Sequence, residues 1–145
     1  MLNGFCAIFK WKILEISTLA TMIQRQIEKY FKWVTLNFPI VIVLGPRQSG
    51  KTAFVRDMFS KHAYINLEDE SHFKLAKENP ADFFKQHPTP IILDEAQRLP
   101  KLLSMIKILT NNSDPITQFI LICSHLPTLP ESLAKRTGIV HLLPF

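Results

Sequence analysis

The apolar run Ile40-Val41-Ile42-Val43-Leu44 stops at Gly45, and beyond Lys51-Thr52 apolar residues resume at helical spacing in Phe54, Val55, Met58 and Phe59. An unbroken β-branched run is the pattern of a strand covered on both faces, because a half-exposed strand would alternate apolar with polar residues. The helix behind it packs one apolar stripe on such a strand. Strand, tight loop and helix in that order leave few folds open, since a parallel neighbour can then be reached only by a crossover, and crossovers are right-handed.

The joining loop is Gly45-Pro46-Arg47-Gln48-Ser49-Gly50-Lys51-Thr52. Two glycines bracketing four residues and running into Lys-Thr form a phosphate-binding pattern. The glycines admit backbone conformations in which successive N–H groups turn inward on an anion. Lys51 adds a positive charge, Thr52 supplies a hydroxyl suited to a phosphate-bound Mg²⁺, and the following helix aims the positive end of its dipole at the same place. All eight positions, Gly45 to Thr52, are therefore candidate contacts of a nucleoside triphosphate. The bland alternative, a glycine turn, explains neither the strand before it nor the helix after it.

A second apolar strand, Ile91-Ile92-Leu93-Asp94-Glu95, ends in two carboxylates and resembles a Walker B element. In such an element Asp94 holds Mg²⁺ and Glu95 polarises the attacking water. An ordinary buried strand whose exit is capped by acids would read the same way in isolation. With a phosphate loop upstream, both motifs belong at one edge of one sheet.

At 145 residues the chain is long enough for one self-sufficient domain. Two cysteines, Cys6 and Cys123, and five scattered histidines imply neither a disulfide framework nor a metal cluster, which fits a reducing cytoplasm. Residues 1–21 are apolar-rich but interrupted by Lys10, Lys12 and Glu15, so neither a membrane span nor a signal-peptide core is expected. Residues 1–62 hold nine Lys/Arg against three acids, a net +6, and residues 63–145 hold eight against nine, a net −1. The basic residues are dispersed, and two of them, Lys51 and Arg47, belong to the phosphate loop; a solvated basic face is a better reading than a nucleic-acid site.

Ile23, Ile27, Tyr30, Phe31 and Val34 form an amphipathic helical stripe before the first strand. Further strands are expected at Ala63–Leu67, Phe119–Cys123 and Ile139–Leu143. Helices are expected around Phe73 and Ala76, from Asn79-Pro80, through Leu102, Leu103, Ile106 and Leu109, and at Leu133-Ala134. Alternating strands and helices predict an α/β fold, a three-layer αβα sandwich on a parallel five-stranded sheet.

From Met22 to Phe145 the order of motifs resembles the ATPase core of a prokaryotic AAA+ P-loop family whose members carry a C-terminal domain of uncharacterised function. The resemblance rests on Gly45-Pro46-Arg47-Gln48 with Gly50-Lys51-Thr52, Tyr64-Ile65-Asn66-Leu67-Glu68-Asp69, Leu93-Asp94-Glu95-Ala96-Gln97 with Pro100, and Ser132-Leu133-Ala134-Lys135-Arg136 leading to Pro144-Phe145. It implies strand order 5-1-4-3-2 and Mg²⁺-dependent binding and hydrolysis of ATP, with Thr52 and Asp94 at the metal. It also implies a γ-phosphate sensor at the end of the fourth strand, where Ile122-Cys123-Ser124-His125 replaces the family's Thr-Gly-Ser and only Ser124 can serve. Arg136 stands where the family often places the arginine that reaches a neighbour's γ-phosphate, which would make the core a homo-oligomer. Lys135 replaces the usual glycine before it, and complementing a helix C-terminus is an equal reading of Arg136. The resemblance further implies a core at 22–145 without its lid and C-terminal domain, preceded by an extension at 1–21, with Met22 a natural start. The resulting expectation is an ATP-binding ATPase core; the rival is a non-catalytic nucleotide-binding module or inactive gene fragment.

Overall fold

The computed structural model describes residues 2–46, 50–110 and 119–142, with side chains from residue 18 onward. The chain divides into two compact units at Trp33/Val34. Helix α1, Leu2–Asn37, makes up the first and contributes its last turn to the second. It passes through Thr21 and Met22 without interruption. Of its expected stripe, Phe31 and Val34 are buried, whereas Ile23 and Tyr30 are exposed, Tyr30 stacking on Trp33.

The second unit alternates strand and helix. After β1 (Ile40–Leu44) come α2 (Lys51–Met58), β2 (Ala63–Asn66), α3 (Glu70–Glu78), α4 (Pro80–Gln86) and β3 (Ile91–Asp94). A short 3₁₀ turn (Ala96–Arg98), α5 (Lys101–Thr110), β4 (Phe119–Cys123), α6 (Glu131–Ala134) and β5 (Thr137–His141) complete it. Local chemistry sets several boundaries. The Asp69 carboxylate accepts the N–H groups of Ser71 and His72 at the start of α3. Asn79 caps α4 the same way, with Pro80 in the first turn where its missing N–H costs nothing.

The five strands form one parallel sheet in the order β2-β3-β4-β1-β5, the expected 5-1-4-3-2. Register assigns the faces. Ile40, Ile42 and Leu44 share a face with Phe119, Leu121 and Cys123, with Ile91 and Leu93, and with Ile65. Ala76 of α3, Phe83 of α4 and Leu102, Leu103 and Ile106 of α5 close that face into the main core. Val41, Val43, Ile92, Ile120, Ile122 and Val140 point the other way and are also buried, on the face where Ala53 and Arg56 of α2 lie beside Ile92 and Tyr64. Helices on both faces make the αβα sandwich, and double burial explains the unbroken apolar strands.

β5 begins and ends two residues earlier than the Ile139–Leu143 expected from apolarity. Pairing with β1 decides it: Thr137 lies opposite Ile40 and His141 opposite Leu44. Gly138 then faces Val34 and Phe38, which lie where a larger side chain would stand. Pattern alone had no access to that contact. Among the described residues no helix is long and apolar enough to cross a membrane.

Candidate functional site

Parallel strands bring their C-terminal ends to one edge, and four chemical groups meet there. Leu44 hands the chain to Gly45 and Pro46 at the end of β1; Asp94 ends β3; Ser124 follows β4; and α2 begins at Lys51. Gly50, which precedes α2, has φ +81°, a left-handed conformation that favours glycine. A Cβ there would meet nothing within 4 Å, so backbone conformation rather than space calls for the glycine. Arg47, Gln48 and Ser49 lie outside the described residues, as do Pro144 and Phe145.

Lys51 is 6% exposed, and its ammonium donates to the carbonyls of Gly45 and Pro46, curling the loop around the charge. The Thr52 hydroxyl donates to Asp94 Oδ2 at 2.7 Å across a separation of 42 residues. Asp94 is 5% exposed. Two more donors hold its carboxylate: the Tyr64 hydroxyl on Oδ2 at 2.6 Å and the Glu95 N–H on Oδ1 at 2.9 Å. Burial, followed by the hydrogen bond to Asp94 and its charge, pushes the Tyr64 phenol above its ordinary range, so it stays protonated and donating.

Glu95 adopts φ 54° and ψ 41°, the left-handed region in a residue that is not glycine. Such strain persists only where the surroundings over-determine it, and it clusters at functional sites. The turn swings the Glu95 carboxylate toward β4, where Ser124 Oγ donates to it at 3.2 Å. The Gln97 amide donates both to Glu95 and, at 3.3 Å, to Ser124. Arg98 anchors the same turn by donating to the Leu67 carbonyl at 2.9 Å. Cys123, beside this cluster, is a closed thiol: burial first, then the charges of Glu95 and Asp94, push it up to about 12.

The loop between β1 and α2 is tied through Thr52 to the acid ending β3, on a parallel sheet of order 5-1-4-3-2, and residues 37–145 match the family model described as "AAA domain". The chain belongs to the AAA domain family. It is thus a nucleotide-binding module of the ATPase type. Uncharacterised proteins of Mycobacterium bovis and Mycobacterium tuberculosis are each 29% identical to it over 109 residues, which span 72% of this chain and 25% of theirs. The chain thus spans about a quarter of the length of these curated relatives. Among solved structures, that of C. elegans PCH-2 superposes with a TM-score of 0.50 at 15% identity, covering 89% of this chain and 41% of that one. That likeness shows the fold.

Within this AAA domain, Gly45, Pro46, Gly50, Lys51, Thr52, Asp94, Glu95 and Ser124 converge on one edge of the sheet. Arg136 does not join them. It precedes Thr137, the partner of Ile40 at the opposite end of β1, so the length of β1, about 13 Å at 3.3 Å per residue, separates it from Gly45 and Pro46 of its own chain. Two residues that bond directly to the acids escaped the sequence reading: Tyr64 and Gln97. Both stood inside recognised motifs without a role. The signal for Tyr64 was its parity with Asn66 on β2, which aligns opposite Asp94, but only register makes that visible. Beside the loop, Leu44, Gly45, Pro46, Ser124, His125, Leu126, His141 and Leu142 line a cavity of about 470 Å³.

Proposed function

We propose that this AAA domain binds ATP together with Mg²⁺ and hydrolyses it. The observation that carries the reading is the Thr52–Asp94 hydrogen bond, which joins the phosphate loop to the acid of the second motif. A hydroxyl that gives its proton to a carboxylate turns its lone pairs outward, the arrangement a hard cation needs from a threonine ligand. Mg²⁺ keeps most of its waters and takes one or two protein oxygens plus phosphate oxygens, which is what a threonine hydroxyl beside a carboxylate can offer. Thr52 and Asp94 would hold it; once bound, it would neutralise charge on the transferring phosphoryl group.

Lys51 would exchange the carbonyls of Gly45 and Pro46 for phosphate oxygens, and the N–H groups at the start of α2 would complete the cradle. Glu95 would orient and deprotonate the attacking water, held by Ser124 and Gln97, with Ser124 in reach of the γ-phosphate. The cavity beside the loop, with its apolar lining and two histidines, would accommodate the base. Arg136 is best read as acting on the site of a neighbouring copy, because its place at the far end of β5 keeps it from its own. The natural partners of the domain are then ATP and further copies of the chain.

Calorimetry with Mg²⁺-ATP tests the reading. The wild type is expected to bind, and Lys51→Ala to lose at least about tenfold in affinity, since each charge-assisted hydrogen bond is worth about 1.5–3 kcal/mol. Equal affinities would overturn it.

A further inference from the structure

An ionised carboxylate offers four lone-pair directions. Among the described residues three of those on Asp94 are used: Thr52 and Tyr64 both donate to Oδ2, and the Glu95 N–H donates to Oδ1. Two of these donors follow from the motifs, since one belongs to the phosphate loop and one to the acid pair itself. The third comes from outside them. Tyr64 sits on β2 opposite Ile92 and reaches along the sheet past that residue to the buried acid. Its ring is covered by the guanidinium of Arg56, 4.2 Å from the centroid. Arg56 lies on α2 one turn beyond Thr52, so one helix supplies a donor to Oδ2 and a clamp on the other donor to the same atom.

We propose that Tyr64 is a positioning residue that sets how Asp94 meets the divalent cation, by filling the second lone pair of Oδ2 and leaving, among the described residues, the acceptor direction on Oδ1 for a cation-bound water. The assignment rests on the nucleotide reading above. With both directions of Oδ2 taken by hydroxyls, the carboxylate is rotationally fixed and part of its charge is already met. Direct coordination through Oδ2 would require Tyr64 to withdraw. Removing the phenol oxygen leaves one acceptor of a buried carboxylate unmet, and the cation is the group that can meet it. The phenylalanine variant therefore binds the cation more tightly. A purely structural hydrogen bond would lower stability and leave cation affinity where it was.

The test uses the 145-residue chain, with Mn²⁺ as a paramagnetic probe titrated onto the protein–ATP complex, and a fluorescent ATP analogue titrated separately in EDTA. Tyr64→Phe is expected to lower the Mn²⁺ half-saturation about three- to tenfold, the equivalent of one unmet acceptor, while nucleotide affinity in EDTA stays unchanged. Arg56→Lys, which keeps the cation but not the planar stack, is expected to shift it in the same direction by less. Unchanged or weaker Mn²⁺ binding to folded Tyr64→Phe overturns the assignment. If Tyr64→Phe does not fold, an unshifted Arg56→Lys overturns it instead. A wild type that binds no nucleotide in EDTA or with Mn²⁺ overturns the nucleotide reading itself, and this assignment with it.

Discussion

Glu95→Gln separates the chemistry of the site from its architecture. Glu95 lies at φ 54°, a region costing an L-residue about 1–2 kcal/mol, and glutamine incurs the same cost, so the backbone is not perturbed. The carboxylate accepts from Ser124 Oγ and from the Gln97 amide. An amide oxygen can still accept from Ser124. Its NH₂ group has a waiting acceptor in Gln97 Oε1, which is buried and has no hydrogen-bond partner among the described residues. The network can thus re-form once the Gln97 amide turns over, exchanging a charge-assisted hydrogen bond for a neutral one, so stability should fall by no more than about 1–2 kcal/mol. Turnover should not survive. A positioned general base contributes about 10²- to 10⁴-fold, or about 2.7 to 5.4 kcal/mol of barrier, and an amide cannot take the proton. The assay is steady-state phosphate release at saturating ATP, run beside a thermal melt and a nucleotide titration on both proteins. A variant that turns over within about threefold of the wild type would show that another group activates the water. A wild type that binds ATP without any turnover would favour the non-catalytic reading.

Two further outcomes follow from packing and protonation. Gly138→Ala puts a methyl group against Val34 Cγ1 and within 2.9 Å of Phe38 Cδ2; Val34 is stiff about χ1, so the variant should lose about 1–3 kcal/mol and several degrees in Tm, whereas an unchanged melt would show that the last turn of α1 can move aside. His62, packed edge-on to Phe59, is held below its ordinary 6.5 by burial. The unfolded chain therefore takes up a proton as the pH falls through 6.5 while the folded chain does not, and stability drops until the folded imidazole is itself protonated. His87, lowered by burial and then by the charge of His72, acts in the same sense. Between about pH 7.5 and about pH 5.5, either side of the ordinary histidine value, Tm should fall more for the wild type than for His62→Gln; equal falls would refute a role for His62.

Residues 45–52 could be read as a candidate phosphate loop because the chemistry such a loop needs is local: backbone freedom at the glycines, a cation and a hydroxyl at fixed offsets, all close to a helix start. The strands were legible for a related reason, since burial on both faces of a parallel sheet writes unbroken apolar runs into the chain. Strand order came from the family resemblance, and Asp94 and Glu95 were singled out as two carboxylates ending an apolar strand. What the amino-acid order could not express is who stands beside whom across the sheet. That Tyr64 shares a face with Asp94 depends on register between β2 and β3. That Gln97 and Ser124 hold Glu95 depends on a left-handed turn swinging the carboxylate toward β4. β5 starts at Thr137 because it pairs there with Ile40 of β1, which sets Gly138 beneath Val34 and Phe38, and Arg136 stands apart from the Gly45–Thr52 loop because β5 runs parallel to β1 for its full length. Each of these is a contact between residues far apart in the chain. Local propensity acts within a few residues, and only the folded sheet turns distant positions into neighbours.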